Sequence, residues 1–152
     1  MNNISVKRAQ STDVDFTHLI YQLDLDLNKR YQQEQTKYDK FNKVARIDTV
    51  VVAYENHVPV GCGCFKPYDN NTVEIKRMFV IPDYRGRGIS KVILEALENW
   101  AAELGYANSI LETGKGQPEA IGLYKKFGYN VIDNFGQYAD MTDSVCFEKK
   151  MK

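Results

Sequence analysis

The chain has 152 residues, 43% of them hydrophobic and 12% aromatic. That is enough for one apolar core and too little for a second catalytic domain, so residues 1–152 are expected to form a single unit. Twenty Lys and Arg balance twenty Asp and Glu, which argues against a nucleic-acid or anionic-membrane partner, since either calls for a basic excess.

Ile4 to Arg8 reads as a short strand, after which Ser11, Thr12 and Asp13 offer N-caps for a helix carrying Phe16, Leu19, Ile20 and Leu23 at helical spacing. Leu25 to Lys43 is polar, with Tyr31, Tyr38 and Phe41 as its large apolar groups, and reads as a weakly amphipathic helix or a mobile loop. Thr49–Tyr54 and Val58–Phe65 are β-rich runs joined by Glu55-Asn56-His57, which predicts an antiparallel hairpin. Gly61 and Gly63 inside the second run predict a bulge or a close backbone neighbour.

Thr72–Ile81 reads as a further strand, with Val73, Ile75, Arg77 and Phe79 on one face and Glu74, Lys76, Met78 and Val80 on the other. From Gly88 to Leu104 a stripe of Ile89, Val92, Ile93, Ala96, Leu97, Trp100, Ala101 and Leu104 predicts a helix that Gly105 stops. Ser109–Thr113 is a short strand, Pro118 opens a helix through Phe127, and Asn130–Ile132 and Val145–Lys149 supply the last strands. The order predicts an α/β (mixed α+β) fold with a central mixed, largely antiparallel sheet of about six or seven strands flanked by helices.

Residues 76–91 hold Lys76, Arg77, Arg85, Arg87 and Lys91 against Asp83 alone, a local charge of +4 in a chain whose total is zero. Arg85-Gly86-Arg87-Gly88-Ile89-Ser90 falls between a strand end and a helix start, where free amides and the positive end of the macrodipole suit a phosphate. A solvated arginine-rich turn is the alternative. There is no G-x-x-x-x-G-K-[ST], and Lys91 stands where a dinucleotide motif has its third glycine, so ATPase and dinucleotide readings weaken. Three cysteines without a C-x-x-C pair and two scattered histidines suggest no metal, and with no apolar leader or membrane-length run a reduced, cytoplasmic protein is expected.

Glu74 to Val80, then Tyr84 to Ser90, then Leu123 to Tyr129 resemble, in that order and spacing, the GNAT superfamily of N-acetyltransferases. Arg85 and Gly88 meet its R-x-x-G-x-G/A loop, with Ser90 where Gly or Ala is usual. Ala120, Leu123, Tyr124, Gly128 and Tyr129 match its A-x-x-L-Y-x-x-x-G-F/Y segment, and the resemblance runs over residues 49–150. It implies acetyl-CoA as cosubstrate, lying between two splayed strands, Thr72–Ile81 and Ser109–Thr113. By the same resemblance its pyrophosphate rests on Arg85, Gly86, Arg87, Gly88 and Ser90, and its pantetheine pairs with the backbone from Met78 to Val80. The implied reaction is acetyl transfer to a primary amine of a small molecule or peptide, by direct attack in a ternary complex.

That chemistry sets two proton problems. An amine with a pKa of about 10 must lose a proton, and a thiolate whose acid has a pKa of about 8.5 must gain one. A neutral phenol suits the second task, and the resemblance puts Tyr124 there; core packing with Ala120, Leu123 and Phe127 is the alternative. Glu74 is the candidate base, or else the ion-pair partner of Lys76, and Glu112 is a weaker candidate of the same kind. Tyr21, Asp24, Asp26, Tyr31, Glu34 and Tyr38, with Phe135, Gln137, Tyr138, Asp140 and Met141, are expected on the acceptor side. A silent acyl-CoA-binding sensor and a nucleotide or phosphosugar binder remain open. So does the last strand, which could pair across a homodimer or lie in the sheet.

Overall fold

A computed structural model describes residues 3–31 and 46–151. The strands are β1 (Ile4–Ala9), β2 (Val50–Glu55), β3 (Val58–Pro67), β4 (Thr72–Val80), β5 (Asn108–Gly114), β6 (Asn130–Ile132) and β7 (Ser144–Lys150). The helices are α1 (Val14–Tyr31), α2 (Ile89–Glu103) and α3 (Pro118–Lys126). All seven strands share one sheet in the order β1-β2-β3-β4-β5-β7-β6, antiparallel throughout except for the parallel β4–β5 pair. The mixed sheet expected from the sequence is present, and β7 lies inside it between β5 and β6.

Local chemistry explains the elements. Asp13 caps α1, its Oδ1 accepting the Phe16 amide at 3.0 Å. The helix then runs on to Tyr31, through the first part of the segment left open between helix and loop; residues 32–45, with Glu34 and Tyr38, lie outside the described residues. Asn56 and His57, both at positive φ, close the β2–β3 hairpin in the twist a two-residue turn favours.

The sheet buries both faces. Phe16, Leu19, Leu23 and Leu27 of α1 pack on Val50, Val52, Cys62, Cys64 and Phe79. On the opposite face Ile89, Ile93, Leu94, Leu97 and Ala101 of α2 pack on Val51, Phe65, Val73, Ile75, Leu111 and Phe147. Leu94 was absent from the expected stripe, while Val92 and Leu104 at its borders are exposed. Gly61 lets α2 come this close, because a Cβ there would meet Ile93 Cδ1 and the Phe79 carbonyl at 2.9 Å.

The expected alternation along β4 needs correction. Cys62 pairs with Phe79 while Cys64 pairs with Lys76, so β4 carries one residue more than β3 over this span. Arg77 sits at the bulge with φ 60, a left-handed conformation that costs roughly 1–2 kcal/mol for a residue with a Cβ. The extra residue reverses the alternation. Met78 and Val80 join Val73 and Ile75 on the α2 face, whereas Arg77 reaches Asp24 of α1 and Phe79 joins the α1 cluster. Lys76 and Arg77, adjacent in sequence, therefore point to the same side of the sheet.

Candidate active site

The parallel pairing of β4 with β5 ends at Ile75 and Leu111, yet β4 continues to Val80 and β5 to Gly114. The two strands part, and beyond Ile75 the edge of β4 that faces away from β3 has no strand partner. A cleft of about 1020 Å³ opens at this fork, with the start of α2 on one side and α3 on the other. Met78, Val80, Arg85, Gly86, Gly88, Ser90 and Tyr124, all singled out from the sequence, line it.

Gly86 and Gly88 both have φ 80, and a Cβ at either would project into open space. The left-handed turn they make places the chain at the N-terminus of α2 with Gly88 as its N-cap. Among the described residues no backbone acceptor takes the amides from Gly86 to Ser90. An anion with several oxygens is what such an array binds.

The local charge of +4 does not gather in this cleft. Lys76 pairs with Glu74 at 3.6 Å, Arg77 with Asp24 at 2.9 Å and Arg87 with Glu55 at 3.2 Å. Cations close in sequence are thus engaged by carboxylates on three different elements, β4, α1 and β2. Of the five cations, Arg85 and Lys91 line the cleft. Arg85 is itself engaged: its Nε donates to the Val80 carbonyl at 2.8 Å, its Nη2 lies 3.6 Å from Asp26, and its guanidinium lies over the Phe79 ring. Arg87, also expected at the pyrophosphate, is not among the residues lining the cleft; its guanidinium lies over the ring of Tyr84, which is.

A second, smaller hollow of about 110 Å³ adjoins the first, deeper in the fork. Lys76 and Arg77 from β4, Glu112 from β5, Gln117, and Tyr124 from α3 border it, with Leu23 and Leu27 of α1 as its apolar wall. Burial pushes the Glu112 carboxyl up to about 7, although the Ser144 hydroxyl donates to it at 2.6 Å. Burial also raises the Tyr124 phenol well above its ordinary value, with the charge of Glu112 adding to the effect. The Tyr124 ring packs on Tyr129 and Phe147, and among the described residues nothing hydrogen-bonds its hydroxyl. A packed ring with an unengaged hydroxyl satisfies the core reading and the chemical one together.

Glu74 lines neither hollow. It is buried, accepting from the Tyr138 hydroxyl at 3.4 Å beside the Lys76 ammonium, which in turn donates to Tyr138 at 3.2 Å. This is the ion pair that stood as the alternative to a base. Burial lowers the Lys76 pKa and the Glu74 charge opposes that. Of the residues expected on the acceptor side, Tyr138 and Met141 are buried with Cys146 and Tyr21 is exposed. Asp24 and Asp26 are the ion-pair partners of Arg77 and Arg85. Gln117 has no motif to announce it; from the sequence Lys76 and Arg77 read as part of the phosphate charge, and Lys76 also as the partner of Glu74.

Comparison with known proteins gives these features a context. The model of the acetyltransferase (GNAT) family matches residues 17–129. An Azospirillum brasilense protein named IAA acetyltransferase is 32% identical over 99% of this chain and 100% of its own. A Klebsiella pneumoniae protein provisionally assigned as an acyl-CoA N-acyltransferase superposes with a TM-score of 0.78 at 27% identity, over 99% of each chain. A GNAT family acetyltransferase from Elizabethkingia anophelis, solved with acetyl-CoA bound, has the same fold at a TM-score of 0.72 and 18% identity, over 99% of each chain.

Proposed function

Because the chain belongs to the acetyltransferase (GNAT) family, we propose that it moves the acetyl group of acetyl-CoA to a primary amine of a small molecule or peptide, by direct attack within a ternary complex. The observation that carries this reading is that one unengaged phenol, Tyr124, borders both hollows, so that a donor in the larger and an acceptor in the smaller would meet at its hydroxyl.

The larger hollow suits acetyl-CoA. Amides from Gly86 to Ser90 would take the pyrophosphate with Lys91 nearby, and the edge of β4 around Met78, which has no strand partner on this side, would pair with an amide-bearing arm as an added strand does. When bound, the thioester supplies an activated acyl carbon and a sulfur that leaves as thiolate.

The protein's own groups then manage the protons. Glu112, poised at about 7, is ionised in part at neutral pH and accepts the proton of the incoming amine, directly or through water. Tyr124 remains protonated under the same conditions and gives its proton to the departing sulfur. The nitrogen–acetyl bond forms, the carbon–sulfur bond breaks, and one proton moves on each side. Glu74 has a separate task in this reading: it pairs with the buried Lys76 ammonium beside Tyr138.

Two measurements test the reading together. Acetyl-CoA should bind in calorimetry and raise the melting temperature, by the equivalent of about 2.7 kcal/mol at a hundredfold excess over Kd. A free-thiol assay against small amines, amino acids and peptide N-termini should then show acceptor-dependent release. Binding without release for any acceptor would leave a sensor, and no binding at all would remove the family's cosubstrate from this chain.

A further inference from the structure

We infer that Ser144 is a positioning residue of this site: from behind the smaller hollow its hydroxyl holds one oxygen of Glu112, so that the carboxylate stays ionised and keeps its other oxygen for the incoming amine. This rests on the reading above in which Glu112 accepts the amine proton, and it adds the group that prepares it.

The argument starts from register. Across the β5–β7 ladder Glu112 lies opposite Cys146 and Gly114 opposite Ser144. Residues 144 and 146 share a face of β7, so Ser144 is the diagonal neighbour of Glu112, within reach of a long side chain. The Ser144 hydroxyl donates to Glu112 Oε2 at 2.6 Å, the separation of a charge-assisted bond. Among the described residues Glu112 Oε1 accepts no hydrogen bond. Ser144 is buried and lines neither hollow, whereas Glu112 borders the smaller one.

The backbone around Ser144 is held without its hydroxyl. The Ser144 amide donates to the Met141 carbonyl at 3.0 Å, and Asn134 Nδ2 donates to the Met141 and Ser144 carbonyls at 3.0 and 3.2 Å. The Lys115 amide donates to the Asp143 carbonyl at 2.8 Å. Removing the hydroxyl therefore leaves the start of β7 pinned.

The charges around Glu112 do not replace it. Burial favours the neutral carboxyl, and the Ser144 bond is the largest influence the other way, ahead of Lys76. Lys76 and Glu74 of β4 act on Glu112 with opposite signs and pair with each other at 3.6 Å. Arg77 borders the same hollow and pairs with Asp24 of α1. Tyr124 of α3, Tyr138 in the turn before β7 and Cys146 of β7 are all pushed up by burial, and so stay neutral at pH 7. A serine hydroxyl does not titrate in this range, so its bond is offered at every working pH.

The test compares pH profiles of kcat/KM in the free-thiol assay, from about pH 6 to 9, for the full chain and for Ser144→Ala with the same acceptor. The ratio of the two proteins at each pH cancels the acceptor's own titration. The rising limb should move up by about one pH unit, so that Ser144→Ala is about fivefold slower near pH 7 and within about twofold at pH 9. Carbon NMR of the ligand-free protein should show the same upward move in the Glu112 carboxyl, identified by its absence in Glu112→Gln. Should Ser144→Ala fail to fold, Ser144→Cys, whose thiol donates weakly, should shift both readouts in the same direction. An equal loss of rate at every pH, or an unmoved limb with an unmoved carboxyl signal, would overturn the inference and leave Ser144 a packing residue. A rising limb that persists in Glu112→Gln would instead overturn the reading of Glu112 as proton acceptor, and failure to bind acetyl-CoA would overturn acetyl transfer itself.

Discussion

Along the larger cleft the groups that face a ligand belong to the main chain: the amides from Gly86 to Ser90 and the free edge of β4 beyond Ile75. In the hollow beside it the candidate groups are side chains from separate elements, Glu112 from β5 and Tyr124 from α3. Main-chain recognition depends on a local conformation, so it writes itself into consecutive residues such as two left-handed glycines at a helix start. Side-chain convergence depends on register, on a bulge, and on where distant strands stop pairing. Tyr124 stands where the two meet, and substitutions on either side of it should fail in different ways.

The largest effect is expected at that meeting point. Tyr124→Phe keeps the ring against Tyr129 and Phe147 and removes only the unengaged hydroxyl. Its kcat should fall by about 10²–10⁴-fold while acetyl-CoA affinity and melting temperature hardly move. An activated aryl thioester, whose leaving group needs less protonation, should restore part of the rate. Unaltered kcat in the variant would return Tyr124 to a packing role, and equal losses with both donors would make it a positioning group.

Glu112 provides the next effect, and its two readouts have opposite signs. Its carboxyl sits at about 7 against an ordinary 4.5, so the fold favours the neutral form. The stability linked to this group is present below 4.5 and is lost as pH rises from there through 7. Glu112→Gln should match the unmodified protein near pH 4 and be more stable at pH 8, by at most about 3 kcal/mol. Activity should move the other way: roughly a hundredfold lower kcat/KM at pH 8 and loss of the rising limb near pH 7. A rising limb that survives in the Gln variant would assign the proton acceptor elsewhere.

How much of this was legible follows from the same contrast. The sheet, α2 and the Gly86–Gly88 turn rest on short-range patterning, and the seven cleft-lining residues named in advance rest on family motifs. The reversal at Arg77 was invisible, because one extra residue in β4 is defined only against β3. Glu74 and Glu112 look alike in the sequence, each a carboxylate within a β-rich run. What separates them is Tyr138, some sixty residues downstream of Glu74, which shuts Glu74 in with Lys76, and the divergence of β5, which opens Glu112 to the fork. Charge counted along the chain does not locate the cations for the same reason, since Arg77 pairs with Asp24 of α1 and Arg87 with Glu55 at the end of β2.

On the cleft side, Gly88→Val forces a β-branched residue into φ 80, a conformation such residues rarely hold, so the turn that presents the amides is distorted. Acetyl-CoA affinity should drop about a hundredfold as those contacts are lost, with the protein still folded by circular dichroism. Normal binding in calorimetry would mean that the turn does not cradle the pyrophosphate.

The smallest effect separates two roles for Arg85, expected from the motif to hold phosphate. Its guanidinium already donates to the Val80 carbonyl, faces Asp26 and covers Phe79, tying the turn to both β4 and α1. A residue so engaged acts first as a brace for the amides and only secondarily as a phosphate ligand. Arg85→Ala should therefore weaken acetyl-CoA by about tenfold, nearer the low end for a charge-assisted contact. It should also lower the melting temperature of the ligand-free protein by roughly 2–4 °C, since the side chain is partly solvated and its contacts contribute about 1 kcal/mol. A pure phosphate ligand predicts a different pair of results: a larger loss of affinity, and a ligand-free protein whose melting temperature stays level or rises once the cation is gone. Measuring both quantities on one variant thus tells whether this arginine serves the anion directly or through the main chain it holds in place.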